Sequence, residues 1–161
     1  MDPVRSSIGG GLVATIAVVV FLVGADFLLQ GSQIFVFATF TGPCAVGGPP
    51  YCELGSTAAI LLTGIVFLAL YVVAWPLFFA GFTWGLPGES GMVHGLVFGL
   101  ILWSGFVVVA SVTVLRGWQS FSAEFPLVVA MLLAYLVYGG ILGRVYDSLA
   151  EHRTLMSQET D

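Results

Sequence analysis

Apolar residues fill four long stretches of this chain, and polar residues gather between them and after the last one. The stretches cover residues 8–29, 56–82, 91–115 and 126–149. A helix rises about 1.5 Å per residue, so about 20 residues cross a hydrocarbon core roughly 30 Å thick. Each stretch therefore predicts a membrane-spanning helix, and residues 150–161 are predicted to form a polar tail.

The apolar positions inside the stretches do not alternate with polar ones. The run from Leu12 to Val23 is apolar almost without interruption, whereas a membrane-spanning strand alternates over about ten residues. Only 8% of the residues are charged and the mean hydropathy is +1.05, which leaves little of the chain for a soluble domain. The first stretch is longer than the apolar core of a signal peptide, so we expect it to be retained in the mature protein. The sequence predicts an all-α membrane protein, a single four-transmembrane-helix bundle over residues 1–161.

The four arginines set the expected orientation, because lysine is absent from the chain. Arg5, Arg144 and Arg153 lie on the side of the termini, and Arg116 lies on the other side. Positive charge favours the cytoplasmic side, so we expect both termini in the cytoplasm and a multi-pass protein of the plasma membrane. The nine acidic residues and the net charge of −5 argue against a nucleic-acid partner. An acidic, lysine-free exterior is also common in proteins of salt-loving archaea.

The longest connection, residues 30–55, holds the two cysteines, Cys44 and Cys52, among glycines and prolines. Three interpretations are open: a structural disulfide in an otherwise floppy outer loop, two free thiols, or a redox or metal site. A disulfide is favoured because extracytoplasmic loops preserve one, redox pairs usually read Cys-x-x-Cys, and no histidine stands nearby. Three placements are open for the apolar piece from Gln33 to Phe40: the membrane–water interface, a short re-entrant segment, or a surface that covers a partner.

Glycines recur every fourth residue at the start of the third predicted helix, at Gly91, Gly95 and Gly99. The fourth helix carries a counterpart at Gly139 and Gly143. Smooth stripes of this kind let two helices approach to backbone contact. We expect the third and fourth helices to meet through them, although either stripe is also suited to another subunit.

The second predicted helix carries Pro76 late in its span. Because proline removes one backbone hydrogen bond, it predicts either a kink that tilts an overlong helix or a gating hinge.

The two predicted helical hairpins look loosely alike. Leu68-Ala-Leu-Tyr71 in the second helix resembles Leu133-Ala-Tyr135 in the fourth. Duplication of one hairpin and chance similarity between apolar helices explain the likeness equally well.

His94 and Asp26 are ionisable side chains within the predicted spans, where such groups are costly and mark functional hypotheses. His94 suits a proton relay, a haem ligand or a quinone contact. The plainer interpretation is a histidine near the cytoplasmic interface, bonded to a backbone carbonyl or to Glu89. Asp26 suits either a solvated helix end or an entry point for an ion or proton.

Three tyrosines, Tyr71, Tyr135 and Tyr138, lie inside the predicted helices. A buried phenol needs a hydrogen-bond partner. We expect these side chains either to bond across the bundle or to line a small polar path.

One pattern runs through the four predicted helices. It consists of a glycine-rich first helix, an outer loop with cysteines and prolines, a third helix that opens with His94-Gly-Leu-Val-Phe-Gly99, and a tyrosine-rich fourth helix. This pattern resembles the small four-helix membrane proteins of the YagU-like kind and their relatives in salt-loving archaea. The resemblance covers all four helices. It implies the same fold and some importance for the segment around His94, and it implies no catalytic residue.

The chain shows no set of residues that predicts catalysis. It has no Ser-His-Asp set, no phosphate-binding loop and no carboxylates at metal-binding spacing, so we expect neither enzymatic activity nor a metal or cofactor. Two function classes are left. The first is an accessory subunit of a larger membrane complex, respiratory or electron-transferring. The second is a small channel or transporter formed by self-association, which the scarcity of polar residues at the membrane midplane disfavours. The expected partners are the lipid bilayer and either other subunits or further copies of this chain.

Overall fold

The computed structural model describes residues 3–29, 34–48, 56–85, 90–113 and 125–150, and the regular elements in these ranges are all helical. In chain order they are α1 (Pro3–Leu28), α2 (Ile34–Gly47), α3 (Thr57–Leu68), a π-helical segment (Ala69–Ala74), α4 (Trp75–Trp84), α5 (Gly91–Thr113) and α6 (Phe125–Ala150). The π-helical segment joins α3 directly to α4, so these three elements form one long helix. Several residues used in the predictions lie outside the described residues: Cys52, Glu89, Arg116, Arg153 and the tail from 151 to 161.

Among the described residues, four helices are long and apolar enough to cross a membrane: Val4–Leu28, Thr57–Trp84, Gly91–Ser111 and Phe125–Leu149. The chain is therefore an integral membrane protein, and the predicted all-α fold with four spanning helices is confirmed. The first helix begins at Pro3, earlier than predicted. Proline suits a first helical position because the amide it lacks has no partner there in any helix.

The last spanning helix, α6, is the centre of the bundle. Half of its spanning window (50%) is buried, against 22–33% for the other three. It packs against α1 and against α5, and its side chains Met131, Tyr138 and Leu142 are at most 2% exposed. The outward faces of α1 and α3 expose apolar residues such as Val20 and Ile65, as lipid-facing surfaces do. The side chains of α6 therefore make up much of the buried core.

The two predicted glycine stripes face each other between α5 and α6. A Cβ atom on Gly95 would overlap the Gly139 carbonyl, and a Cβ atom on Gly139 would overlap the Gly95 carbonyl. A Cβ atom on Gly143 would overlap the Gly91 carbonyl, and one on Gly99 would overlap the backbone of α6 one turn further along. Any larger side chain at these positions would separate the two helices. In this structure the two stripes therefore pack against each other within one chain.

A second close approach, absent from the sequence predictions, joins α1 to the long helix. A Cβ atom on Gly11 would overlap the ring of Pro76 and the carbonyl of Val72. The glycine therefore lets α1 lie directly against the turn that proline disturbs.

The segment between the first two spanning helices contains α2, and the expectation of an otherwise floppy loop there was wrong. At 14 residues, α2 is too short to span the membrane, and it packs against α1, α3, α5 and α6. It ends at Gly47. The next residue, Gly48, has a φ of 61° that suits glycine, and its amide donates to the Cys44 carbonyl at 3.0 Å. Cys44 lies in the last turn of α2; because Cys52 is outside the described residues, their pairing stays a prediction.

Candidate functional site

The π-helical segment leaves one backbone carbonyl without its usual partner. The Trp75 amide donates to the Leu70 carbonyl, five residues back, instead of to Tyr71. In this wider register the Tyr71 carbonyl would receive the amide of residue 76, but that residue is proline and has none. The sequence predicted a kink or a hinge at Pro76. In the structure, the helical register changes just before this residue. The Tyr71 carbonyl must therefore find another donor.

That donor is the hydroxyl of Tyr138 on α6. It donates to the Tyr71 carbonyl at 2.6 Å, and the two rings meet edge to face with centroids 5.2 Å apart. The Tyr71 hydroxyl in turn bonds the Tyr135 hydroxyl at 2.9 Å. The three tyrosines predicted from the sequence thus form one buried network across the bundle.

The tyrosine pair Tyr71–Tyr135 has a second proton to donate. One of its two hydroxyl protons lies in the bond between the oxygens. A phenol can also accept further bonds. Within the described part of the chain, no group accepts the other proton. The pair can therefore donate to a molecule placed beside it.

A cavity of about 300 Å³ lies beside this pair. Its walls come from α2, the long helix, α5 and α6, through Ala38, Thr39, Pro43, Phe67, Leu70, Tyr71, Trp75, Ile101, Leu102, Gly105, Phe106, Val109 and Tyr135. Most of these side chains are apolar and none is charged. Those of the spanning helices lie within the spanning ranges, from the middle of each helix to Val109 near the end of the third. A concave apolar site with a few polar groups is the usual form of a small-molecule site, and this volume is at the lower end of the range.

Asp26 holds the α2 wall of the cavity in place. Both of its carboxylate oxygens accept amide hydrogens from the first turn of α2, one from Ile34 and one from Phe35, the latter at 3.0 Å. A carboxylate at a helix N-terminus satisfies amides that lack partners and complements the helix dipole. The structure thus gives Asp26 a capping contact, and the solvated helix end and the ion entry point considered from the sequence stay predictions.

Asp147 makes the equivalent contact at the other end of the bundle. Its Oδ2 atom accepts the Gly91 amide at 2.7 Å, at the start of α5. His94 lies one turn into the same helix and is 5% exposed, and its backbone amide donates to the Ser90 carbonyl at 3.1 Å. Neither His94 nor Asp26 lines the cavity, so the structure brings the tyrosines together and leaves these two residues apart from them.

Sequence reasoning missed four of the residues that shape the cavity: Thr39, Pro43, Trp75 and Gly105. Thr39 and Pro43 lie on α2, which the sequence did not predict as a helix. Gly105 lies outside the stripe of every fourth residue, and a Cβ atom there would meet nothing within 4 Å. Gly64 is equally open and does not line the cavity, so a glycine outside a packing stripe gave no specific signal for this space.

The described residues contain no group of three or more His, Cys, Asp or Glu side chains placed to hold a metal ion. No curated protein and no solved structure shows a significant match to the chain. The resemblance to YagU-like proteins therefore stays a prediction. A family model does match almost the whole chain, residues 1–157. The chain belongs to that family, DUF6789, a family of unknown function.

Proposed function

We propose that this protein is a non-catalytic membrane subunit that binds one lipophilic molecule in the cavity beside Tyr71 and Tyr135. The observation that carries the proposal is the cavity itself, which is apolar, lies at membrane depth and adjoins a hydroxyl pair with a proton to donate. Apolar walls favour a molecule that already resides in the bilayer, because burial of apolar surface provides most of the binding free energy.

The α5 wall supports entry from the lipid. Ile101, Gly105 and Val109 line the cavity at intervals of four residues, so they share one face of α5. Ile101 is 50% exposed and Val109 is 37% exposed, and Gly105 is exposed as well. The cavity thus borders the lipid-facing surface along this edge, and a ligand can enter sideways without passing through water.

A ligand site without catalytic residues suits an accessory subunit of a larger membrane complex, respiratory or electron-transferring, in which a partner protein acts on the bound molecule. We place this subunit in the plasma membrane of a salt-loving archaeon, with both termini in the cytoplasm. The alternative, a small channel or transporter, needs polar groups along its whole path. The mostly apolar lining of the described cavity favours the subunit.

The test replaces Gly105 with leucine. Because a Cβ atom at Gly105 meets nothing within 4 Å, Gly105→Leu adds a bulky side chain at the cavity wall without a backbone clash at Cβ. The matched control is Gly64→Leu, a substitution at another exposed glycine of a spanning helix that also has open space but does not line the cavity.

The measurement is the set of lipophilic molecules extracted from each protein after purification in mild detergent, identified and counted by mass spectrometry. We expect about one molecule per chain in the natural protein and in Gly64→Leu, and a loss of most of it in Gly105→Leu. Equal content in all three proteins, or no molecule near this ratio, would contradict the proposal.

A further inference from the structure

We infer that the molecule in this cavity is a lipoquinone, a flat ring with carbonyl oxygens and an apolar tail. This inference rests on the proposed binding function and specifies the chemistry of its ligand. Three properties of the site carry it: the absence of charge, the direction of its hydrogen bonding and the aromatic character of its walls.

The polar end of the ligand is neutral because the cavity offers nothing to pair with a charge. None of the described residues that line the cavity is ionised at neutral pH. The two arginines in the described part of the chain, Arg5 and Arg144, are exposed near the ends of α1 and α6 and do not line the cavity. A phosphate or sulfate group in this apolar space would be unpaired, which costs far more than the contacts of a lipid head can return. Phospholipids are therefore poor ligands for this cavity.

The ligand also carries an oxygen that accepts a hydrogen bond. The pair Tyr71–Tyr135 has one proton left to donate. The third polar residue of the lining, Thr39, already donates its hydroxyl hydrogen to the carbonyls of Phe35 and Val36, at 2.9 and 3.2 Å. A ring carbonyl accepts the tyrosine proton and has no proton of its own that requires an acceptor.

The walls suit a flat ring. Phe67 and Tyr71 stack with centroids 4.4 Å apart, and Phe106 and Tyr135 are tilted with centroids 5.9 Å apart. Trp75 adds a further ring from the long helix. Aromatic side chains gain from stacked or edge-on contact with another ring beyond the area they bury. A volume of about 300 Å³ suits a ring head, while the tail leaves past the exposed α5 edge into the lipid.

The test is a titration of the purified full-length protein with decylubiquinone, followed by quenching of tryptophan fluorescence. Trp75 lines the cavity, so bound quinone quenches it, and Trp75→Phe should remove most of the saturable signal. In a single Tyr→Phe variant the remaining hydroxyl still has a proton to donate, so the variant that tests the hydrogen bond carries both Tyr71→Phe and Tyr135→Phe. We expect this double variant to weaken binding about tenfold, the order expected for one buried hydrogen bond. Gly105→Leu should abolish saturable binding.

The matched control is Tyr146→Phe, which also removes a buried phenol hydroxyl from α6 but at a residue that packs against Phe79, away from the cavity. Its affinity for decylubiquinone should match that of the natural protein. Helicity and thermal unfolding of each variant show whether a loss of binding reflects a loss of fold. If the tyrosine variant unfolds, Gly105→Leu, which keeps both hydroxyls, carries the comparison with the control.

The extraction experiment separates failure of this inference from failure of the proposed function. A molecule that is present at about one per chain, is lost in Gly105→Leu and lacks a quinone ring, such as a diacylglycerol or a carotenoid, would overturn the quinone assignment and leave the binding function standing. Decylubiquinone binding that is unchanged in Gly105→Leu would also overturn it. If no molecule is lost in Gly105→Leu, both proposals fail.

Discussion

At the scale of single residues, the Tyr138 hydroxyl compensates for a proline in another helix. Pro76 has no amide hydrogen, the Trp75 amide goes to Leu70, and the Tyr71 carbonyl is satisfied only by Tyr138, at 2.6 Å, among the bonds of the described residues. Tyr138→Phe keeps the ring and leaves this carbonyl buried without a donor, which costs about 1–3 kcal/mol. We expect the free energy of unfolding in detergent to fall by that amount, as measured by denaturant titration.

Ser148→Ala is the control for this loss of a hydroxyl. Ser148 lies on the same helix, but it is exposed and bonds only the Val145 carbonyl of its own turn, at 2.8 Å. Its removal should change the free energy of unfolding by less than about 0.5 kcal/mol. If Tyr138→Phe were as mild as Ser148→Ala, the compensation for Pro76 would have to come from elsewhere.

At the scale of elements, Asp26 stabilises α2 by capping its first turn. A helix of 14 residues is marginal alone, and α2 contains Pro43 in its interior. Asp26→Ala removes both side-chain acceptors of its first turn, a change that costs about 0.5–2 kcal/mol. We expect amides of α2 to exchange with deuterium roughly 2- to 30-fold faster, while the amides of α6 keep their protection.

Two variants distinguish capping from a role of the charge. Asparagine is also a good capping residue but offers one acceptor oxygen for the two amides. Asp26→Asn should therefore restore part of the protection of α2, whereas an ion entry point would lose its function with the charge. Asp147→Ala removes the corresponding contact with Gly91 and should loosen the first turn of α5 instead of α2. Equal exchange of α2 in the natural protein and in Asp26→Ala would show that packing alone holds this helix.

Also at this scale, the elements divide by how far local sequence determines them. The four spanning helices are predictable because a backbone in hydrocarbon must satisfy its own hydrogen bonds, so length and apolarity are sufficient. The residues of α2 give a weaker signal, because the β-branched and aromatic residues from Ile34 to Phe40 and the later proline are poor helix formers, and the cap comes from another helix. The cavity walls come from α2, the long helix, α5 and α6 together, so no local stretch of sequence predicts them. Of the features behind the π-helical register, only Pro76 is visible in the local sequence.

At the scale of the whole molecule, the contact between α5 and α6 decides whether the glycine stripes hold one chain together or join two chains. A leucine at Gly95 would overlap the Gly139 carbonyl, and a backbone atom inside a helix cannot move aside as a flexible side chain can. Overpacking of a core costs about 1–3 kcal/mol when side chains adjust, so a clash with backbone should exceed that range. We expect Gly95→Leu to lower the unfolding midpoint strongly and to disrupt the native particle on size-exclusion chromatography, while Gly64→Leu leaves both unchanged because its surroundings are open. If the stripes served another subunit, Gly95→Leu would instead release that subunit and leave a chain with the natural unfolding midpoint. Because the two outcomes differ in stability as well as in size, one pair of measurements on two leucine variants decides between a stripe used within the chain and a stripe used between chains.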